Sequence, residues 1–428
     1  MENRHMRHRV IIVGGGFGGM YAAKNLRRVP VDVLLIDRRN FHLFQPLLYQ
    51  VATGGLSPGD ITAPLRSVLK KNRRAGVIMA EVTAVDIASR IVRTSAGDFP
   101  YDTLVVAAGA AHQYFGHDEW APLAPGLKTI EDAVDIRSRL LAAFEQAEIE
   151  SDEAARRALM TFVVAGGGPT GVELAGAIGE IAHHTLRGEF RRIDPGQAEI
   201  ILVEGAERVL QNYPPFLSEK AVRSLHKLGV TVRTRTLVTD LTPESVTLAS
   251  GGVTTVVPCR TVLWAAGVSA SPLGRMVVGD RTDLLDRVGR VETAPDLSVP
   301  GRPEIFVIGD LASYRHQTGA PLPGLAPVAM QQGRYVARVI GRRLRGKTVR
   351  PFRYFDKGNL ATIGRNAAVG TYKRLRFWGY PAWLTWLFVH LMYLVEFDNR
   401  LVVLVQWVWS YITRNRGARL ISRADGRR

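Results

Sequence analysis

The sequence predicts an α/β chain built from two Rossmann-like dinucleotide-binding folds and a C-terminal helical region that attaches to a membrane surface. Three observations carry that expectation. A glycine-rich loop between an apolar strand and a helix occurs twice. A closing strand that ends in Ala-Ala-Gly also occurs twice. Five of the seven tryptophans lie between Trp378 and Trp409.

Residues 9–13 form an apolar run of strand length that breaks into Gly14-Gly15-Gly16-Phe17-Gly18-Gly19. Helix-forming residues 20–28 follow, then a second apolar strand, 31–36, that ends in Asp37. Each part has a physical role. Gly14 permits the tight turn, Gly16 lets backbone approach a pyrophosphate, and Gly19 lets helix and strand pack closely. Free N–H groups at the helix start face the phosphates, and the acid at the strand end accepts hydrogen bonds from a ribose. The pattern recurs in residues 159–165, Gly166-Gly167-Gly168-Pro169-Thr170-Gly171, a helix to about residue 186, and strand 199–203 before Glu204. The closing elements match as well, Thr103-Leu-Val-Val-Ala-Ala-Gly109 against Thr261-Val-Leu-Trp-Ala-Ala-Gly267. A lone glycine motif is a weak sign, but two in register with their terminal acids form an internal repeat of nucleotide-binding units.

At 428 residues the chain suits two or three domains. A 46% hydrophobic and 22% charged composition excludes wholesale disorder. The formal charge of +17 asks for a polyanionic partner. No nucleic-acid-binding module accompanies it, which leaves anionic lipid rather than nucleic acid. A single cysteine, Cys259, excludes an internal disulfide, a CxxC redox pair and a Cys-rich metal site, and no metal is expected. Residues 1–9 are short and polar, without a secretory signal, so the body is expected on the cytoplasmic face of the cell membrane.

A third element, Glu304-Ile-Phe-Val-Ile-Gly309-Asp310, lies far down the chain. Together with the glycine loops it resembles the two-dinucleotide flavoproteins, and the resemblance implies that the first unit holds FAD, with Asp310 at the ribityl chain. Read from the residue type alone, Asp310 is a helix N-cap. The second unit, inserted in the first, then holds the nicotinamide nucleotide. Glu204 favours NADH over NADPH by repelling a 2′-phosphate, with Arg208 close by as a counterweight. The expected domains are 1–125 and 271–370 for FAD, 126–270 for NADH, and 371–428 for the anchor. Cys259 reads as a buried small hydrophobe, so electrons must leave the flavin for an external acceptor.

The apolar runs 382–395 and 401–412 are separated by Glu396, Asp398 and Arg400. Neither reaches the roughly 20 residues that span a bilayer. Both are rich in the interface-seeking Trp and Tyr. Arg365, Lys373, Arg374 and Arg376 precede them, and Arg414, Arg416, Arg419, Arg423, Arg427 and Arg428 follow. Aromatic helices with basic flanks describe a monotopic anchor on an anionic leaflet; a helical hairpin at a homodimer interface is the alternative.

So assembled, the sequence resembles the type II NADH dehydrogenases, single-subunit NADH:quinone oxidoreductases that do not pump protons. The likeness covers nearly the whole chain. It is carried by the two glycine loops, Phe44-Gln-Pro-Leu-Leu-Tyr-Gln-Val-Ala-Thr-Gly54, Gly309-Asp310, Ala326-Pro-Val-Ala-Met-Gln-Gln-Gly333, Lys357-Gly-Asn-Leu-Ala-Thr-Ile-Gly364 and the aromatic tail. It implies a hydride passed from NADH to FAD and two electrons passed on to a membrane quinone, ubiquinone or menaquinone. Glu173 and Gln331 are the implied catalytic residues, and Gln45, Pro46, Gln331 and Gln332 lie on the quinone side. Lys357 sits by the flavin ring, with Gly14, Gly16, Gly19, Asp37, Gly109, Gly309 and Asp310 around FAD, and Gly166, Gly168, Gly171 and Glu204 around NADH. Bland roles compete: Glu173 as a first-turn acid that answers the helix dipole, Gln331 and Gln332 as surface glutamines, and Lys357 as a surface lysine. His390 reads as interfacial or core, and His183-His184 as surface. One departure stands out, because many relatives carry Ala-Gln where this chain has Ala326-Pro327. The rival readings are a soluble NADH:ferredoxin or rubredoxin reductase and a redox-sensing protein like apoptosis-inducing factor.

Overall fold

The structure, a computed structural model, describes residues 7–395, 397–413 and 416–421. Residues 1–6, Glu396, Arg414, Arg423, Arg427 and Arg428 lie outside them. The chain divides into two compact units: residues 1–43, 62–111 and 268–356 in the first, and 44–61, 112–267 and 357–428 in the second.

The first unit is organised on a six-stranded sheet in the order Ser298–Val299, Arg302–Val307, Thr103–Val106, His8–Val13, Val31–Asp37, Ala75–Met79. All neighbours are parallel except the first pair. Thr103–Val106 is buried at every residue and His8–Val13 at its last four. Continuous burial is what a parallel sheet covered on both faces requires. One face packs helices Phe17–Asn25 and Ala326–Arg343 around Leu26, Leu35, Phe306 and Val336. The helices cross closely at Gly333, where a Cβ would come within 2.3 Å of the Gly18 carbonyl oxygen. The opposite face buries Val13, Tyr101, Ile305 and Val307.

The second unit repeats this plan. A four-stranded parallel sheet runs Val230–Arg233, Glu199–Val203, Thr161–Ala165, Thr261–Trp264. In both units an antiparallel three-stranded meander precedes the closing strand, 82–100 in the first and 236–258 in the second. Four strands of the first sheet, Ala75–Met79, Val31–Asp37, His8–Val13 and Thr103–Val106, thus correspond in order to the four strands of the second, while the first sheet adds two more. Helix Pro169–Glu180 starts on proline, whose missing N–H costs nothing in the first turn.

Residues 357–379 supply a further antiparallel sheet, Asn359–Thr362, Ala368–Tyr372 and Leu375–Gly379. It packs on helices Pro169–Glu180 and Pro215–Lys227, which groups residues 357–370 with the second unit rather than with the 271–370 block expected from sequence. Helices Tyr380–Tyr393 and Phe397–Thr413 complete that unit. They meet through Trp386 against Trp407 and Trp383 against Tyr411, with ring centroids 5.5 Å apart in each pair. Among the described residues no helix is long and apolar enough to cross a membrane.

Candidate active site

The first glycine loop begins where strand His8–Val13 runs out. Gly14 turns the chain at φ +102°, and its N–H donates to the Ile36 carbonyl at 2.8 Å. A Cβ at Gly14 would lie 2.3 Å from the Ala107 oxygen, and one at Gly19 would lie 1.9 Å from the Gly14 oxygen, so both positions demand glycine. Gly16 caps helix Phe17–Asn25 without a side-chain hydrogen bond, and a Cβ there would meet nothing within 4 Å. Open space in front of a helix N-terminus is what the close approach of a pyrophosphate requires. Asp37 Oδ2 accepts the Gly15 N–H at 2.5 Å and Oδ1 accepts the Arg39 N–H at 2.7 Å. Gly109 also faces open space, at φ +69°.

The second loop has the same geometry. Gly166 turns at φ +105° and donates to the Val203 oxygen at 2.7 Å. A Cβ at Gly171 would lie 1.8 Å from the Gly166 oxygen, and one at Gly168 would meet nothing. Glu204 Oε2 accepts the Gly167 N–H at 2.6 Å, and Oε1 accepts the Ala206 N–H at 2.8 Å. Both terminal acids therefore hold their own glycine loops in shape and keep further lone pairs for a ribose. Arg208, the counterweight expected from sequence, is engaged elsewhere. It donates to the carbonyls of Tyr213 and Gln211 and to Ser218 Oγ, at 2.6 to 3.1 Å.

Gly309 and Asp310 form a short 3-10 turn after strand Arg302–Val307, so Asp310 lies inside the turn and Ile308 takes the cap position. The N-cap reading of Asp310 is corrected accordingly. Gln332, 1% exposed, accepts the Gly309 N–H on Oε1 at 2.7 Å and holds this turn. Gln331 makes a two-point clamp on the Phe355 backbone, accepting its N–H at 3.0 Å and donating to its carbonyl at 2.9 Å. Pro327 falls in the first turn of helix Ala326–Arg343, where no N–H is needed.

A cavity of about 480 Å³ lies within the second unit. Its polar wall carries Tyr49, Glu173, Glu180 and Arg416, and its apolar wall Trp383, Trp386 and Trp407. Glu173 sits in the second turn of helix Pro169–Glu180, beyond the first turn, so the helix dipole does not account for it. Burial pushes its carboxyl up to about 8, against one backbone hydrogen bond from Thr362, and the group is a neutral acid at pH 7. Glu180, two turns further on, is ion-paired with Arg416 at 2.7 Å and accepts the Arg365 N–H. Arg416 also donates to the Thr53 carbonyl at 3.0 Å, tying the tail to the segment that carries Tyr49.

The other expected residues are spread around this unit. Gln45 is exposed and donates to the Lys128 carbonyl at 3.2 Å, and Pro46 follows it in a 3-10 turn. Lys357 is exposed; its ammonium bonds the Tyr393 hydroxyl and lies 5.1 Å from that ring's centre. His390 stacks on Trp386 at 4.4 Å and donates Nδ1–H to its carbonyl, and burial lowers it to about 4. His183 is half-buried against Gly229 rather than on the surface, while His184 is exposed. Cys259 is buried, and burial pushes its thiol up to about 12, away from the thiolate that reacts. Sequence reasoning missed Tyr49, Gln50, Glu180, Arg416 and Trp407. Glu180 had a signal, since a spacing of seven from Glu173 returns to the same helix face.

Comparison with known proteins shows the family. The family model for pyridine nucleotide-disulphide oxidoreductases matches residues 8–333. Two type II NADH:quinone oxidoreductases of Mycobacterium tuberculosis, Ndh and NdhA, are each 46% identical; the alignments cover 96% and 97% of this chain and 89% and 90% of those proteins. The demethylphylloquinone reductase NdbB of Synechocystis is 31% identical over 94% of this chain and 96% of its own. In fold, the chain matches the structure of NDH2 from Plasmodium falciparum in complex with NADH, with a TM-score of 0.88 at 20% identity, over 96% of this chain and 99% of that one. The chain thus belongs to the pyridine nucleotide-disulphide oxidoreductases and, among them, to the type II NADH:quinone oxidoreductases.

Proposed function

We propose that the protein oxidises NADH at the second glycine loop, through FAD held by the first, and reduces a quinone at the surface of a membrane. The observation that carries this reading is the matched pair of glycine loops, each braced by its own strand-end acid and open at its central glycine. When bound, FAD supplies a two-electron relay between a hydride donor and an acceptor. The chain supplies placement and protons. Gly14, Gly16, Gly19, Asp37 and Gly109 shape the FAD cradle, with Gly309 and Asp310 presented by Gln332. Gly166, Gly168, Gly171 and Glu204 shape the NADH cradle, and the occupied guanidinium of Arg208 removes the obvious partner for a 2′-phosphate.

The acceptor's headgroup is assigned to the cavity beside Glu173. Tryptophan walls suit a flat ring, and an acid kept neutral at pH 7 can give a proton to a reduced carbonyl oxygen. Gln331 and Gln332 then act through the backbone they hold rather than by touching the quinone. Lys357 contributes by holding Tyr393.

The C-terminal hairpin is the anchor in this reading, on the cytoplasmic leaflet. Leu384, Phe388 and Met392 form one exposed stripe at helical spacing, and Leu401, Val405, Val408 and Ile412 another. Such stripes, in a chain of charge +17, fit an amphipathic segment lying in an anionic interface. The same stripes would be covered in a homodimer, and light scattering in detergent separates the two arrangements.

Stopped-flow absorbance at flavin wavelengths tests the function. NADH should bleach the lipid-reconstituted protein within its turnover time, and an added quinone should restore the colour as fast. Bleaching that outlasts the quinone addition would refute the assignment and favour a soluble reductase or a sensor.

A further inference from the structure

The cavity contains a short chain of hydrogen bonds whose direction is decided at its outer end. The indole N–H of Trp407 can only donate, and it meets Gln50 Oε1 at 2.8 Å. This fixes the amide, so its nitrogen faces Tyr49 and donates to the phenol oxygen at 2.9 Å. A phenol that accepts from this neighbour must direct its own proton elsewhere. Tyr49 is buried in the cavity wall, and the titratable groups that face it are Glu173, Glu180 and Arg416. Glu180 is already engaged at both oxygens, by Arg416 and by the Arg365 N–H. Burial and the nearby acids keep the phenol protonated well above any working pH.

We propose that the Tyr49 hydroxyl donates a hydrogen bond to a carbonyl oxygen of the quinone headgroup, and that Trp407, acting through Gln50, is the positioning residue that aims it. The inference rests on the acceptor reading above and adds to it. A flat diketone entering the cavity offers acceptor oxygens to this donor, and the donor's aim is set by a residue of the C-terminal hairpin, 357 positions away in sequence from Gln50. Seating of the hairpin is thereby coupled to acceptor binding.

The test is a titration of tryptophan fluorescence in the FAD-loaded full chain, without NADH, using an oxidised short-chain quinone. Because three tryptophans line the cavity, quenching reports occupancy without turnover. Tyr49→Phe should raise the dissociation constant about five- to tenfold, the effect of one net hydrogen bond. Trp407→Phe should raise it nearly as much, and the double variant should be no worse than Tyr49→Phe alone, because the two act in one chain. A Tyr49→Phe protein that binds within twofold of the parent overturns the donor role, and an additive double variant overturns the positioning role. If the parent is not quenched while NADH:quinone turnover persists, this inference falls and the proposed function stands. Absence of turnover in the parent refutes the function itself.

Discussion

Glu204 shows how one carboxylate can serve the fold and the specificity together. It holds the Gly167 and Ala206 N–H groups, and in the proposed function its remaining lone pairs face the ribose of NADH. Glu204→Ala should raise the NADPH-to-NADH ratio of kcat/KM about tenfold, the scale of one charge-assisted hydrogen bond. Steady-state kinetics with both nucleotides check it, and an unchanged ratio would mean that the acid only braces the loop. Glu173 invites a pH measurement. Its native value of about 8 lies above the ordinary 4.5, so the folded state binds a proton that the unfolded state has lost between those values. Stability from this group is full below about 4.5 and is lost as pH rises through 8. Thermal unfolding from pH 5 to 9 should therefore show the parent losing ground to Glu173→Gln as pH increases. A gap that does not vary with pH would show that the carboxyl titrates as an exposed one.

Elements explain why neighbouring glycines differ in what they tolerate. At Gly19 an added methyl strikes the Gly14 carbonyl oxygen, so helix Phe17–Asn25 must move off its strand. Gly19→Ala should lower stability by about 1–3 kcal/mol, as overpacking of a close contact does; chemical denaturation measures it. At Gly16 the methyl enters open space. Gly16→Ala should fold normally and be purified with little FAD, which the ratio of flavin to protein absorbance will show. A Gly16→Ala protein with full flavin content would remove the pyrophosphate from that space. The glycine spacing was legible in the sequence because local turn geometry alone demands it. The engagement of Gln331 and Gln332 was not, since each meets backbone more than twenty residues away.

At the scale of the whole molecule, the second unit combines the second glycine loop, an aromatic cavity and an exposed apolar hairpin. Phe388→Glu with Val405→Glu should reduce binding to anionic vesicles by at least about tenfold, because each large apolar side chain withdrawn from water contributes about 1.5–3 kcal/mol. Co-sedimentation reads this directly, and NADH-driven flavin bleaching should be unaffected. Vesicle binding that survives both substitutions would move the anchor elsewhere. Binding should also weaken with salt, since the chain carries +17 and charges farther apart than the Debye length are screened.

By itself the sequence determined the two nucleotide folds, the absence of a redox disulfide and the short aromatic hairpin. Each follows from local rules: a tight turn needs glycine, a disulfide needs two cysteines, and a span needs length. Tertiary structure decided the rest. It brought Arg416 to Glu180 and Trp407 to Gln50 across more than two hundred residues, buried Glu173 so that its proton is retained, and turned Gln332 inward onto Gly309. Long-range partners of this kind depend on which surfaces meet once the sheets are formed, and no local spacing encodes them.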